Sequence, residues 1–262
     1  MVSTFANYNL IARNLDRTLT LKKAEPLVKR DTEYFLANIG NVKSIDDFIK
    51  DTRLFNYAMN AFGLEDMAYA KAYMHKVLDE GITEKNSFAN RLADDRFVNF
   101  AKTFDFAAKG DKVTSDTEAM KKVTELYARQ EVEEEAGNED EGVRLALYFE
   151  RTAPTVKSAY GLLADPALWQ VVKTVLGFPD AMAGADIDKQ AAAVNKRLDV
   201  KDLQDPEKLQ KLIGRFTVMW DVNNNTDTDP VLALFSSGAG SAQSTVSTEL
   251  AATLHNLKRG GY

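Results

Sequence analysis

The chain has 262 residues, 45% hydrophobic and 27% charged, with a net charge of −6. That length supports one large core or two small ones, and the acidic balance speaks against nucleic-acid binding, which needs a concentrated basic surface. The absence of cysteine excludes disulfides, thiolate metal sites and cysteine catalysis, and no stretch approaches the ~18 apolar residues of a membrane span.

The opening segment "MVSTFANYNLIARNLDRTLTLKK" has no continuous apolar run and no small-residue cleavage site after one, so no Sec signal peptide is expected. Phe5, Tyr8, Ile11, Leu15 and Leu19 fall at three- and four-residue steps, which predicts one amphipathic helix cut off before Pro26. Residues 1–30 hold six basic side chains (Arg13, Arg17, Lys22, Lys23, Lys29, Arg30) against two acids (Asp16, Glu25), a net of +4. Such a helix either docks on the body or binds a partner, and it suits an apolar groove rimmed by acids, on a partner or on the acidic segment 131–141.

Helical periodicity continues. Met67, Ala70, Tyr73, Met74, Val77 and Leu78 line one face of a helix expected over 64–78. The stretch "SFANRLADDRFVNF" (87–100) sets Asp94, Asp95 and Arg96 among phenylalanines. It reads either as a charged catalytic cluster or as a helix start. Shifted by 43, "DTRLFNYAMNAF" from Asp51 matches "DDRFVNFAKTF" from Asp94, with Arg53 on Arg96 and Tyr57 on Phe100. At a constant offset of 114, residues 34–64 align without gaps on 148–178, placing Tyr34, Asp51, Leu54 and Gly63 on Tyr148, Asp165, Leu168 and Gly177. Two related helical halves are therefore expected. In the second half the acid precedes proline, as Asp165-Pro166, and Asp205-Pro206 repeats the pair. Aspartate at the N-cap accepts hydrogen bonds from first-turn amides, and proline at the first helical position sacrifices none. Asp51, Asp94 (or Asp95), Asp165 and Asp205 are thus read as caps, with Phe97, Phe100 and Phe104 as a buried face.

Between the halves, Ser115 with Glu118 forms a candidate capping box opening a long central helix. That helix can run past Gly137 into "VRLALYFER", since an interior glycine costs only about 1 kcal/mol against alanine. Its acidic run, Glu131 to Glu141, reads as a solvated, self-repelling face, because ferritin-like sites need Glu-x-x-His and none occurs. His75 and His255 stand alone and read as structural. Asp221, Asn223 and Asn225 fit the first positions of a calcium loop, but Thr226 and Leu232 stand where glycine and glutamate are required. No phosphate-binding glycine loop is present, and "GAGSAQ" reads as a linker. Beyond it, Val246, Leu250, Leu254 and Leu257 stripe a short helix. With Phe5, Tyr8, Ile11 and Leu15 they form the candidate partner-binding set.

Three stretches, "LEDMAYAKAYMHKVLDEGI", "SFANRLADDRF" and "DEGVRLALYFER" (140–151), together with the 34–64 block, carry a resemblance. Over nearly its whole length the chain resembles the helical family catalogued as domain of unknown function 1217. Position 105 is Asp where the family block reads Phe-Gly-Phe. The family has no established catalytic residues to carry over. The resemblance implies an alphaproteobacterial source and a link to the flagellum, because family genes often lie near flagellar genes.

The expectation is an all-α fold of roughly ten helices, with related halves at about 28–110 and 142–222 joined by a long central helix. Residues 1–222 are expected to form one helical domain, and 223–262 a linker plus a short helix. The expected function is a non-enzymatic interaction or structural protein associated with the flagellum, with a protein partner, no cofactor and no metal. The alternative is a helical enzyme or small-ligand-binding protein. The expected location is the cytoplasm, or outside it by flagellar type III export.

Overall fold

Aspartate side chains start most of the helices. The computed structural model describes residues 3–92 and 94–224, and among these no strand occurs. The chain runs α1 (Thr4–Arg13), α2 (Leu15–Ala24), α3 (Pro26–Asn38), α4 (Ile45–Lys50), α5 (Thr52–Ala61), α6 (Lys71–Glu80), α7 (Phe88–Arg91), α8 (Asp95–Thr103), α9 (Phe106–Lys109), α10 (Thr117–Glu139), α11 (Glu141–Thr152), α12 (Ala159–Ala164), α13 (Pro166–Leu176), α14 (Ile187–Asn195) and α15 (Pro206–Asn224). The fold is all-α, with fifteen α-helices among the described residues rather than about ten, because short 3-10 turns and caps divide several long periodic runs.

Asp51 accepts from the amides of Arg53 and Leu54, both at 3.1 Å, and Asp165 from Ala167 at 2.9 Å and Leu168 at 3.1 Å. Asp94 accepts from Arg96 at 2.9 Å, and Asp205 from Glu207 at 2.9 Å and Lys208 at 3.3 Å. Each bond satisfies an amide that the first turn leaves without a helical partner. Four details differ from the sequence reading. Ser115 ends a 3-10 turn, and Asp116 is the N-cap of α10, accepting from Ala119 at 3.0 Å. The central helix stops at Asp140, which caps α11 through the Gly142 amide at 2.8 Å. The run 64–78 is a 3-10 turn, Glu65–Met67, followed by α6. The N-terminal helix breaks at Asn14, whose side chain donates to the Leu10 carbonyl at 2.8 Å.

Elements recur at the 114-residue offset. The 3-10 turns Ile39–Asn41 and Ala153–Thr155 correspond, as do α4 with α12 and α5 with α13. Gly63 and Gly177 both hold the left-handed region, at φ 66° and 63°, where a Cβ is penalised. The Tyr34 hydroxyl donates to Asp51 at 3.1 Å, and the Tyr148 hydroxyl donates to Asp165 at 2.6 Å.

Two apolar cores result. The first gathers Phe35, Phe48, Phe55, Phe100 and Phe104 with the start of α10, through Met120, Val123 and Tyr127. The second gathers Phe149, Leu162, Leu168, Val172 and Phe216 with Ala136 near the end of α10. One helix therefore contributes to both.

The N-terminal segment is part of the body. Tyr8 is 1% exposed, belongs to the second core and donates from its hydroxyl to Gln210 at 3.1 Å. The Thr4 hydroxyl donates to Asp140 at 2.6 Å and lies 2.5 Å from Asp221. Asp221 thus sits in α15 rather than in a calcium loop; residues 225–232 of that loop lie outside the described residues. Lys22 reaches Glu135 at 2.6 Å, so the basic segment lies against the chain's own acidic stretch.

Gly142 is where α1, α11 and α15 crowd together: a Cβ there would lie 2.3 Å from the Trp220 ring and 2.8 Å from the Thr4 methyl. Gly142→Ala should destabilise by about 1–3 kcal/mol through overpacking, although an open helical site would gain up to about 1 kcal/mol from the same change. Urea melts decide it by sign, and an unchanged or raised midpoint would contradict the packing described.

Candidate functional site

Two of the capping carboxylates converge on one arginine. Arg96, in α8, donates from Nε to both Asp94 oxygens at 3.1 and 3.0 Å and from Nη2 to Asp94 at 2.8 Å. Its Nη1 donates to the Gly63 carbonyl at 2.5 Å, and its Nε lies 3.9 Å from Asp165 of the second half. Burial alone would lower the Arg96 pKa, but the Asp94 carboxylate outweighs it and the guanidinium is held above its ordinary value. Burial, and then the Asp165 charge, push the Tyr148 hydroxyl well up. Asp94 of "LADDRF" is thus cap and counter-ion together, and Tyr148 is held protonated as a donor rather than as a base.

A second cluster lies on α10. Glu133 is 0% exposed. Arg129 Nε donates to it at 2.8 Å, and Arg151 donates from Nε at 2.9 Å and Nη2 at 2.8 Å. Arg151 also reaches Gln130 at 3.3 Å, and Arg129 reaches the Leu147 carbonyl at 3.2 Å. The acidic run is therefore not a uniformly solvated face. Glu134 accepts from Asn60 at 3.1 Å, and burial, then the charges of Glu131 and Glu65, raise its pKa. Among the described residues, Asn60 Oδ1 and Ser87 Oγ are the buried side-chain polar atoms without a partner, and no group of three or more His, Asp or Glu is placed to hold a metal. His75 is half-buried, 3.4 Å from Asp46.

One accessible feature is a groove along α10, beside a cleft of about 570 Å³ at Arg53 and Asn60 and one of about 440 Å³ lined by Arg96, Tyr148 and Asp165. One part, of about 640 Å³, has Leu15 and Leu19 of α2 facing Leu126, with Lys122, Arg129 and Arg151 beside them and two acids, Glu125 and Glu150, that pair with Lys23 and Arg129. The adjoining cleft, of about 610 Å³, shares Lys122, Leu126 and Arg151. It is lined by five cations (Arg96, Lys102, Lys109, Lys122, Arg151) against two acids (Asp116, Glu118), a net of +3 in a chain of net −6. An apolar floor with a basic end can hold an amphipathic anion.

Of the sequence candidates, Leu15 lines this groove. Tyr8 is core, Ile11 packs against the second core, and Phe5 is 46% exposed near Gly214 of α15. Val246, Leu250, Leu254 and Leu257, with His255, lie outside the described residues. Lys102, Lys109 and Lys122 escaped the sequence reading because they come from two helices and a turn-length α9, with no common spacing. The Arg129–Glu133 pair did leave a signal, opposite charges four residues apart, but its burial depends on the helices around it.

The profile of the family described as "Protein of unknown function (DUF1217)" matches residues 61–209. A crystal structure of an Agrobacterium tumefaciens protein is 51% identical, with a TM-score of 0.78 over 86% of this chain and 97% of that one. None of the curated proteins matches. Among the described residues no helix is long and apolar enough to cross a membrane.

Removing the counter-charge at Glu133 strands two arginines, so Glu133→Gln should cost about 3–5 kcal/mol in a chemical melt; a loss below 1 kcal/mol would contradict the burial. At Glu134 the opposite sign is expected. Its carboxyl is held above its ordinary value, so its ionisation costs stability as pH rises through the folded-state pKa. Glu134→Gln, which keeps the acceptor for Asn60, should stabilise at pH 7, with the gain fading below about pH 4, where the carboxyl is protonated folded or unfolded. Melts across that range test it, and a gain independent of pH would contradict the electrostatic cause.

Proposed function

The chain belongs to the DUF1217 family, and we propose that it is a non-enzymatic interaction protein whose groove along α10 receives a partner, with the bacterial flagellum as its setting. The observation that carries the interaction reading is the contrast between centre and groove. The buried acids are spent: Asp94 and Asp165 cap helices and face Arg96, and Glu133 is closed by two arginines. The groove keeps half-buried leucines at positions 15, 19 and 126 beside the exposed Lys122. Half-buried leucines lining a concave strip leave apolar surface that a partner can cover, although Leu126 also packs against the first core.

The flagellar setting rests on the family resemblance, and cytoplasmic residence with type III export as the second route rests on the same ground. An internal duplication of the helical domain 1–222 is part of the proposal. What supports it is the repeated order of turn, short helix, aspartate cap, helix and left-handed glycine at one offset, and the repeated tyrosine-to-aspartate bond.

A pull-down from motile cells with the full-length chain, beside a Leu19→Glu variant of equal melting midpoint, tests function. Flagellar components should be enriched by the unmodified chain and lost by the variant. Captured sets without flagellar components would remove the setting, and capture indifferent to Leu19→Glu would remove the groove.

A further inference from the structure

We propose that the occupant of the groove is an acidic amphipathic helix of the partner protein, its apolar stripe on Leu15, Leu19 and Leu126 and its carboxylates at Lys102, Lys109 and Lys122. This rests on the reading above that the groove receives a partner.

The dimensions and the charge carry the argument. The groove follows α10 from Glu118 to Arg129. Eleven steps at a helical rise of about 1.5 Å make about 16 Å, which accommodates three turns of a second helix. Leu15 and Leu19 stand one turn apart on α2, and Lys122 and Leu126 one turn apart on α10. Two such rows receive a stripe of residues at three- and four-residue steps, the helix-in-groove mode. A small phosphorylated ligand would use the lysines and leave the leucines uncovered.

The sign of the charge selects the partner's chemistry. Lys102, Lys109 and Lys122 are exposed and make no ion pair among the described residues. Arg96 and Arg151 stand behind them in the same cleft. Three available ammonium groups at one end favour carboxylates and disfavour a basic helix. The chain's own stripe from Val246 to Leu257 offers a single carboxylate, Glu249, and Lys258 and Arg259 follow it directly, so residues 243–262 have a net of +1.

A photo-cross-linking amino acid at position 122 of the full-length chain, with a second variant carrying it at Tyr69, tests this in motile cells. Tyr69 is 82% exposed and lines none of these surfaces. The expected product at 122 is a partner peptide with net negative charge and apolar residues at three- and four-residue steps. Lys102→Glu with Lys109→Glu should cut its yield about tenfold or more, while Lys102→Arg with Lys109→Arg should retain it. A neutral or basic peptide, a cross-link to residues 246–257 or to a second copy of the chain, or a yield indifferent to the charge swap would overturn the proposal. Silence at 122 with capture at 69 overturns the occupant and leaves the interaction reading standing. Silence at both removes both.

Discussion

Glu133 is the constraint on which the arrangement turns. A carboxylate withdrawn from water carries a desolvation cost of several kcal/mol, and it is tolerable only where opposite charges meet it with good geometry. Arg129 arrives from one turn earlier on α10, and Arg151 from α11. Since α11 runs back along α10, with Arg144 beside Gly137 and Arg151 beside Gln130, a slip of either helix along the other would leave a charge stranded. The cluster therefore fixes register more than it adds stability. Register matters here because α10 contributes to both cores.

Aspartates work the same way on a smaller scale. As caps, Asp94 and Asp165 each satisfy first-turn amides, worth about 1 kcal/mol apiece. By facing Arg96 together they also tie the start of α8 to the start of α13. The tyrosine below each repeated cap, Tyr34 or Tyr148, orients the carboxylate. Groups committed in this way hold helix starts and one another, whereas the leucines and lysines of the α10 groove hold nothing of the kind.

Helix type, the aspartate caps and the order of turn, short helix and longer helix in 39–61 and 153–176 were legible because each depends on a few neighbouring residues. Asp165 before Pro166 needs nothing beyond the first turn to act as a cap. Ser115 misled because Asp116 offers the same chemistry one residue later, and the backbone settles which is used. The break at Asn14 was hidden because Ile11 and Leu15 keep helical spacing across it. The acidic run misled for a different reason: charge density in "EVEEEAG" says solvent, whereas α2, α5 and α11 closing round α10 bury Glu133. The groove's basic end was not legible at all, because Lys102, Lys109 and Lys122 meet only after α8, α9 and α10 have packed.

The bonds between Thr4 and Asp221 and between Tyr8 and Gln210 join residues more than 200 positions apart. On the ribosome, which delivers the N-terminus first, this imposes a schedule. The first core needs no residue beyond Tyr127 and can close while the rest is still being made. The opening segment emerges before all of it, yet its bonds to α15 form only when that helix is out, after a loop closure of more than 200 residues. Between the synthesis of Tyr127 and that of α15 the nascent protein is a closed first core with an amphipathic opening segment still uncovered, and Tyr8, buried in the finished fold, stays open to other proteins for that interval.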